Sequence, residues 1–449
     1  MQLKKQFKSP VARQIGAPLA AATCALLGQT APPEVAAQEL APWDFDSSML
    51  LYNEADGRVR DVSLNAIARK ELREDGFLNL TFAWDSLTGA SPSGAAPSAA
   101  IQTFTSPSGN SSYTVAANEL PLDTSFLDTR TALSASWEWP VTRLALLSVG
   151  ASLSDEYDYT HTGVNARIAR DFNNRNTTLS FGVALANDTI SAVGGAPTPL
   201  SPMLGSAGDG GDDDDEGGSP YKAGGDQAKD VLDFLVGITQ VVNRKTVVQL
   251  NYSLSQSDGY LTDPYKIISV VDPLTGNLLS GPPGSGLNLY LYESRPATRD
   301  KQSLFGLVKR DFNGDVLEAS YRYMTDDWGV DSHTFDVHYR WNLNQGRYFQ
   351  PHVRFYSQTA ADFYETVLFD GQPLPQFVTA DYRLGEFDGL TFGVKYGKDA
   401  RRGEWSARLE WYQQTGEPRP NALVGSLATL DLYPDLNAVI AQFTYRFGR

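Results

Sequence analysis

The residues best able to do chemistry in this chain are its four histidines, because each titrates near neutral pH and can hold a metal or move a proton. His161 and His333 read as strand-end residues beside loops, whereas His338 and His352 read as neighbours on one face, with Asp336, Arg340 and Arg354 around them. A histidine-based hydrolase would add an activated serine, and Ser320 or Ser406 can be imagined in that role, but their spacing does not demand it. Asp336, His338 and His352 are also a conceivable metal set of nitrogen and carboxylate oxygen. The simpler reading is a satisfied ion-pair network on a wet wall. The expectation is therefore of no enzyme and no cofactor, with no catalytic or metal residue assigned.

Those side chains share a face only if the backbone between them alternates. Residues 315–358 repeat one pattern three times, a long alternating strand followed by a tight turn. Leu317, Ala319, Tyr321 and Tyr323 oppose Glu318, Ser320 and Arg322. Phe335, Val337, Tyr339, Trp341 and Leu343 oppose Thr334, Asp336, His338, Arg340 and Asn342. Phe349, Val353 and Phe355 then oppose Gln350, His352, Arg354 and Tyr356. A soluble antiparallel sheet also alternates. What discriminates is an apolar face tipped with aromatic residues against a face of mixed charges, the pattern of a transmembrane strand whose other side meets water.

The N-terminal residues suggest the compartment. Lys4, Lys5, Lys8 and Arg13 precede an apolar stretch over 15–28 and a small-residue cleavage site at Val35, Ala36 and Ala37, so residues 1–37 read as a secretory signal peptide. A lipoprotein reading would use Cys24, but Thr23 precedes it where a small residue is wanted. Cys24 is the only cysteine, so an exported chain from residue 38 would carry neither disulfide nor thiol. Formal charge is −16, and removing a leader with four basic residues and one acid takes it to −19. Nucleic acid is then not an expected partner. Residues 38–449 read as a single domain, since no linker separates two compositional halves.

Alternation continues through Leu78 to Trp84, Leu133 to Trp139, Leu147 to Leu153 and Leu179 to Leu185, with small polar residues on the other face. The count is about sixteen strands, from one near Phe45 to one at 436–447. Long and short connections alternate, with tight turns such as Asn173-Asn174 and Asn313-Gly314 on one side only. The predicted fold class is an all-β, transmembrane, antiparallel up-and-down barrel in the bacterial outer membrane, with short periplasmic turns, long extracellular loops and both termini periplasmic. Flexible loops are expected near 88–127, 191–226 and 259–297. The second holds an acidic Gly/Asp run in which Asp212 to Glu216 is a possible collector of divalent cations, against the simpler reading of a solvated tract. The third has enough Ile, Val, Leu and Tyr to pack a short hairpin at the mouth.

Several segments resemble a known family. Tyr157-Asp158-Tyr159, Tyr260 to Lys266, Tyr292-Glu293-Ser294-Arg295-Pro296, Thr325 to Gly329, Ala361-Asp362-Phe363-Tyr364 and Asp381 to Phe387 are similar to the DUF3570 family of Gram-negative outer-membrane proteins. The resemblance implies a barrel and an address, and supplies no catalytic residues. The last strand, with Val439, Ala441, Phe443, Tyr445 and Phe447 facing out, resembles the signal read by the outer-membrane assembly machinery, although Gly448 and Arg449 follow it.

Expected inside the lumen are Glu318, Arg322, Asp336, His338, Arg340, His352, Arg354, Lys395, Arg408, Glu410 and Arg446. The first half of the chain offers mostly Ser, Thr, Ala and Gly to the same space. One charged wall and one small-residue wall suit a porin-like channel or transporter for a small solute or exported substrate. The alternative is a non-conducting surface scaffold or adhesin-like barrel, with a barrel-embedded enzyme third. Outer-membrane lipid and lipopolysaccharide are the expected surroundings.

Overall fold

A barrel in hydrocarbon must pair every backbone N–H and C=O within itself, so the sheet has to close. The computed structural model describes residues 43–447 apart from 73–74, 107–111, 205–220, 284, 418–423 and 434. The leader reading over 1–37, Cys24 and the acidic run Asp212 to Glu216 lie outside the described residues.

Among the described residues, sixteen of twenty-three strands close one antiparallel barrel. In chain order these are β1 (Asp44–Glu54), β2 (Val59–Glu71), β3 (Phe77–Pro92), β6 (Leu122–Thr142), β7 (Ala145–Asp155), β8 (Tyr159–Phe172), β9 (Thr177–Ile190), β12 (Gln227–Asn243), β13 (Thr246–Gly259), β16 (Thr298–Phe312), β17 (Asp315–Asp326), β18 (Asp331–Leu343), β19 (Arg347–Gln358), β21 (Phe387–Ala400), β22 (Gly403–Gly416) and β23 (Leu436–Phe447). The seven others, β4 (Gln102–Thr105), β5 (Ser112–Val115), β10 (Ala196–Pro197), β11 (Lys222–Ala223), β14 (Ile267–Val271), β15 (Tyr290–Tyr292) and β20 (Val367–Phe369), belong to loops. The seam joins β1 to β23, with Phe45 opposite Phe447 and Asp46 opposite Arg446. An ion pair of 2.7 Å between Arg446 and Asp46 and stacked rings of Phe45 and Phe447, 4.9 Å apart, fasten it.

Alternation sorts side chains as the sequence predicts. Leu133, Val164, Leu185, Phe335 and Leu409 stand on the outer face and are more than half exposed, an apolar belt that water would not tolerate and lipid would cover. Aromatic residues gather at the tight-turn rim, where Trp137 and Trp139, Tyr339 and Trp341, and Tyr396 and Trp405 pack in pairs. Arg170 and Arg310 lay their guanidinium groups over Phe172 and Phe312 at 5.2 and 5.1 Å, apolar stems in the belt and charge at its edge.

The connections keep the parity read from sequence. Tight turns join β6 to β7, β8 to β9, β12 to β13, β16 to β17, β18 to β19 and β21 to β22, and Asn173, Asn174, Asn313 and Gln345 take the left-handed conformation that such turns require. The long loops 93–121, 191–226, 260–297, 359–386 and 417–435 all leave from the other end.

Facing decides what a charge costs. Val337→Arg or Leu409→Arg puts a cation against lipid at about 2–4 kcal/mol near mid-membrane. Either variant should lose most of its assembled, heat-modifiable form on unboiled gels, while Thr334→Arg, on the inner face, should keep it. Comparable losses at all three positions would mean that the strands are turned the other way.

Candidate functional site

Two regions concentrate polar side chains, a cap built by the long loops at the mouth and the inner wall beneath it. The cap grows from loop 260–297, whose β14, Ile-Ile-Ser-Val-Val, is buried along its whole length. β14 pairs antiparallel with β15 and parallel with β20 of loop 359–386. Loop 260–297 also reaches the other three long loops, through Ile267 N–H to the Ser93 carbonyl at 3.0 Å, Met203 N–H to the Tyr290 carbonyl at 2.8 Å and Ser426 N–H to the Thr275 carbonyl at 2.9 Å. Where loops 260–297 and 417–435 touch, Gly276 and Gly425 both have positive φ and back against the other loop's backbone, which leaves no room for a Cβ on either. Ile268, Val270, Leu291 and Val378 form one apolar core, and Phe104, Tyr113, Met203, Ile267 and Tyr290 another. Loop 93–121, whose Ser/Pro/Ala/Gly composition reads as mobile, thus contributes Phe104 at 2% exposure to the cap.

Beneath these cores the segments singled out in the sequence meet. Asp263 and Lys266, Glu293 and Arg295, and Asp381 and Arg383 come from three distant segments into one cluster of three acids and three bases. Arg295 lies 2.6 Å from Glu293 and 2.9 Å from Asp381, and Arg383 joins Asp381 to Asp263 at 3.0 Å. The backbone N–H of Asp263 donates to Glu293 at 2.7 Å, and the Thr379 hydroxyl donates to the other carboxylate oxygen. Burial by itself would raise the Asp381 carboxyl, yet Arg383, Lys266 and Arg295 hold it well below the usual range. Glu293 goes the other way, because burial outweighs Arg295 and the neighbouring acids add to it. Glu293, Arg295 and Asp381 are buried while Arg383 reaches solvent, and a hydrogen-bonded cluster of this kind fixes geometry more than it adds stability, with loss of a buried member costly. Beside it Trp328, Val330, Ala361, Tyr364 and Leu384 pack together, and Asp362 N–H bonds the Trp328 carbonyl at 2.8 Å.

On the inner wall, Glu318 pairs with Lys309 at 2.9 Å, and Arg322 lies 5.5 Å over the Phe305 ring. Asp336 bonds His338 at 2.9 Å and His352 at 3.2 Å, while the other ring nitrogen of His352 meets Glu410 at 2.7 Å. Arg408 stands 3.6 Å from Glu410. Arg340 covers the Tyr348 ring at 3.6 Å, Lys395 is 5.8 Å from the same ring, and Arg354 sits opposite Asp336 in register. Arg446 is drawn into the seam with Asp46 rather than into the open lumen. Elsewhere Ser134, Ser148, Ser152, Ser180 and Gln249 are half-buried against interior space, but the expected small-residue wall also carries charges, with Arg69 3.9 Å from Glu138, Arg130 paired with Asp85 and Lys229 2.7 Å from Asp188.

Sequence reasoning missed a second network near the mouth. Ser152 Oγ lies 3.2 Å from His161 Nε2, and His161 Nδ1 lies 2.6 Å from Asp188, the connectivity of a hydrolase triad. Asp188 is also held by Lys229 at 2.7 Å and by the Tyr159 hydroxyl, and the strand ladder consumes the backbone N–H groups that an oxyanion hole would need. That arrangement is a satisfied polar network. Its signal was available in the alternation of β8 and β9, where His161 and Asp188 face inward, as was the placement of Lys309 in β16.

Asp381→Asn should leave Arg295 and Arg383 short of a carboxylate, a loss on the order of 3–5 kcal/mol for a buried pair. Limited proteolysis is expected to cut loops 260–297 and 359–386 in this variant, with the barrel's gel shift unchanged. A second expectation concerns pH at the cap's edge, where the Asp158 backbone carbonyl accepts from Ser191 and the Tyr265 hydroxyl accepts from Val193 N–H. Burial pushes Glu156 up to about 7 and Asp158 up to about 6, and Asp128 adds to both. A carboxyl raised by folding contributes when protonated, and that contribution is lost as pH rises through the folded value. Cleavage after Tyr265 should therefore be faster at pH 8 than at pH 5, and Glu156→Gln with Asp158→Asn should remove the difference.

A family model described as "Protein of unknown function (DUF3570)" matches residues 16–447. No curated protein matches the chain. Among solved structures, a mutant ferric enterobactin receptor of Pseudomonas aeruginosa is 9% identical, with 84% of this chain and 55% of that chain covered and a TM-score of 0.39. The chain thus spans about half the length of that receptor. A bacterial polysaccharide outer membrane secretin is 10% identical over 91% of this chain and 100% of that one, TM-score 0.42. The outer membrane protein opdK of Pseudomonas aeruginosa is 8% identical over 90% and 98%, TM-score 0.36.

Proposed function

The chain belongs to the DUF3570 family, and for this member of it we propose that the barrel passes or binds a small solute through its lumen. The observation that carries the reading is the inner wall. It is largely polar, its small residues are half-buried beside interior space, and bases stand all round it, Arg69, Arg130, Arg167, Lys229 and Lys309 on the strands up to β16 and Arg322, Arg340, Arg354, Lys395 and Arg408 on those after it. Such a wall supports a water-filled path with a field across it. The barrel is of the bacterial outer-membrane type, with the tight turns and both termini on the periplasmic side and the capped loops outside. Lipid meets the apolar belt and lipopolysaccharide the loop rim, and β23, ending at Phe447, is the segment offered to the assembly machinery.

A cleft of about 470 Å³ runs between the β1–β23 seam and the cap, lined by Glu54, Arg58, Pro97, Leu120, Asp435 and Leu436. Arg58 crosses its floor, 3.6 Å from Glu54 and 3.4 Å from the Asp435 carbonyl. Entry past this seam is the route that a small solute would take.

Purified protein in planar bilayers is expected to conduct in steps. Arg340→Gln with Arg354→Gln should leave the folded barrel intact and shift the reversal potential in a salt gradient toward cation selectivity. A silent bilayer for both forms would support the non-conducting scaffold instead. Equal selectivity in both would place these arginines off the path.

A further inference from the structure

Half-way along the lumen, four side chains from three strands converge in a way that an ion-pair network does not require. His338 and His352 are directly opposite each other on β18 and β19, and their rings stack 4.0 Å apart with 9° between planes. Both point Nε2 at one carboxylate, His338 at one oxygen of Asp336 at 2.9 Å and His352 at the other at 3.2 Å. His352 then turns its remaining nitrogen, Nδ1, to Glu410 at 2.7 Å. His352 and Glu410 are nearly sealed, whereas the side chains of Asp336 and His338 keep 22% and 21% of their surface open to the lumen.

Glu410 is not a sequence neighbour or a strand neighbour of His352. It sits on β22, with β21 lying between. Contact is made because the intervening inward residue is Gly393, paired with His352 on one side and Glu410 on the other. Any Cβ at Gly393 would run into the Glu410 side chain, so glycine there clears the channel through which the carboxylate reaches the imidazole.

We propose that Asp336, His338 and His352 bind a divalent first-row transition cation, with Glu410 as the residue that orients His352. The donor set, two imidazoles and one carboxylate, is the kind that holds zinc, iron or nickel rather than calcium or magnesium. Ligand atoms on a tetrahedral zinc, with bonds of about 2.0–2.1 Å, stand about 3.3 Å from one another. The two Nε2-to-carboxylate separations, 2.9 and 3.2 Å, already approach that spacing, and all three ligand atoms lie within 4.8 Å of one another. Glu410 supplies what a ligating histidine ordinarily has, a carboxylate on its far nitrogen that sets the tautomer and frees Nε2 for the metal. The cation enters from the lumen side, replaces the protons that Nε2 of each ring shares with Asp336, and keeps its remaining positions for water or a solute. Lys309 is occupied by Glu318 and Arg408 by Glu410, while Arg354 stands opposite Asp336 in register as the base that faces the site. The inference holds whether or not the lumen conducts.

The test uses full-length barrel folded in detergent, stripped with chelator and dialysed against zinc ion, with folding of each variant checked by its gel shift. One zinc per chain is expected. Asp336→Asn, His338→Gln and His352→Gln should each weaken binding by 100-fold or more, and Glu410→Gln by about 10–100-fold, as loss of a carboxylate behind a ligating histidine does. His333→Gln removes a histidine that faces outward and bonds the Tyr321 hydroxyl at 2.7 Å, and should change nothing. Cobalt ion in place of zinc gives a second readout, a visible spectrum lost in His338→Gln, which removes one of the two lumen-facing ligands and leaves the sealed His352–Glu410 pair in place. Absence of stoichiometric zinc, or zinc retained by folded His338→Gln, would overturn the proposal, and so would loss of zinc in His333→Gln.

Discussion

Everything in this molecule follows from one constraint, that no backbone polar group in the membrane may be left without a partner. Sixteen strands meet it by closing, and closure is made where the first strand lies against the last. An open edge at that seam would expose a row of unpaired groups. The Asp46–Arg446 pair and the Phe45–Phe447 stack stand at the tight-turn end of the seam, the apolar contact outward and the ionic one inward. The same two-sided rule then repeats around the whole circumference.

Because side chains alternate, each strand is written for two solvents at once, and the two halves of the lumen differ in how they use the inner one. β7 and β9 present mainly Ser, Gly and Ala, whereas β8 between them adds His161 and Arg167. β17 to β22 present long charged side chains, and these need room to lie down. Gly393 and Gly397 on β21 provide it, the first under Glu410 and the second under the Tyr348 ring. Strand glycines are costly in isolation, so their recurrence on one inward face marks a wall where neighbours cross over.

Strand existence, facing, number and the parity of turns were legible in the sequence because they depend on local period and local turn chemistry. The eleven expected inward residues follow from the same period. Their partners did not, since pairing across strands needs register. Asp336 was grouped in the sequence with His338, His352, Arg340 and Arg354, and the register gives its two oxygens to the two histidines. Glu410 reaches His352 across a whole strand, which only the glycine between them permits. The cap was visible only as apolar residues in 260–297. Its assembly from five loops, with β14 running parallel to a strand a hundred residues on, rests on long-range pairing that no local pattern encodes.

That cap also sets an order of events. Its hub can bury Ile267, Ile268, Val270 and Val271 only when loops carried by strands on all sides of the barrel stand at fixed distances from one another. Contacts between such remote segments form late, after the chain has paid the entropy of bringing them together. Until the seam shuts, β14 is a bare, β-branched strand with open edges, the kind of segment that pairs with the wrong chain. The finished lid is therefore a record that the cylinder below it has closed, and a chain delayed on the way to the membrane needs this one stretch shielded.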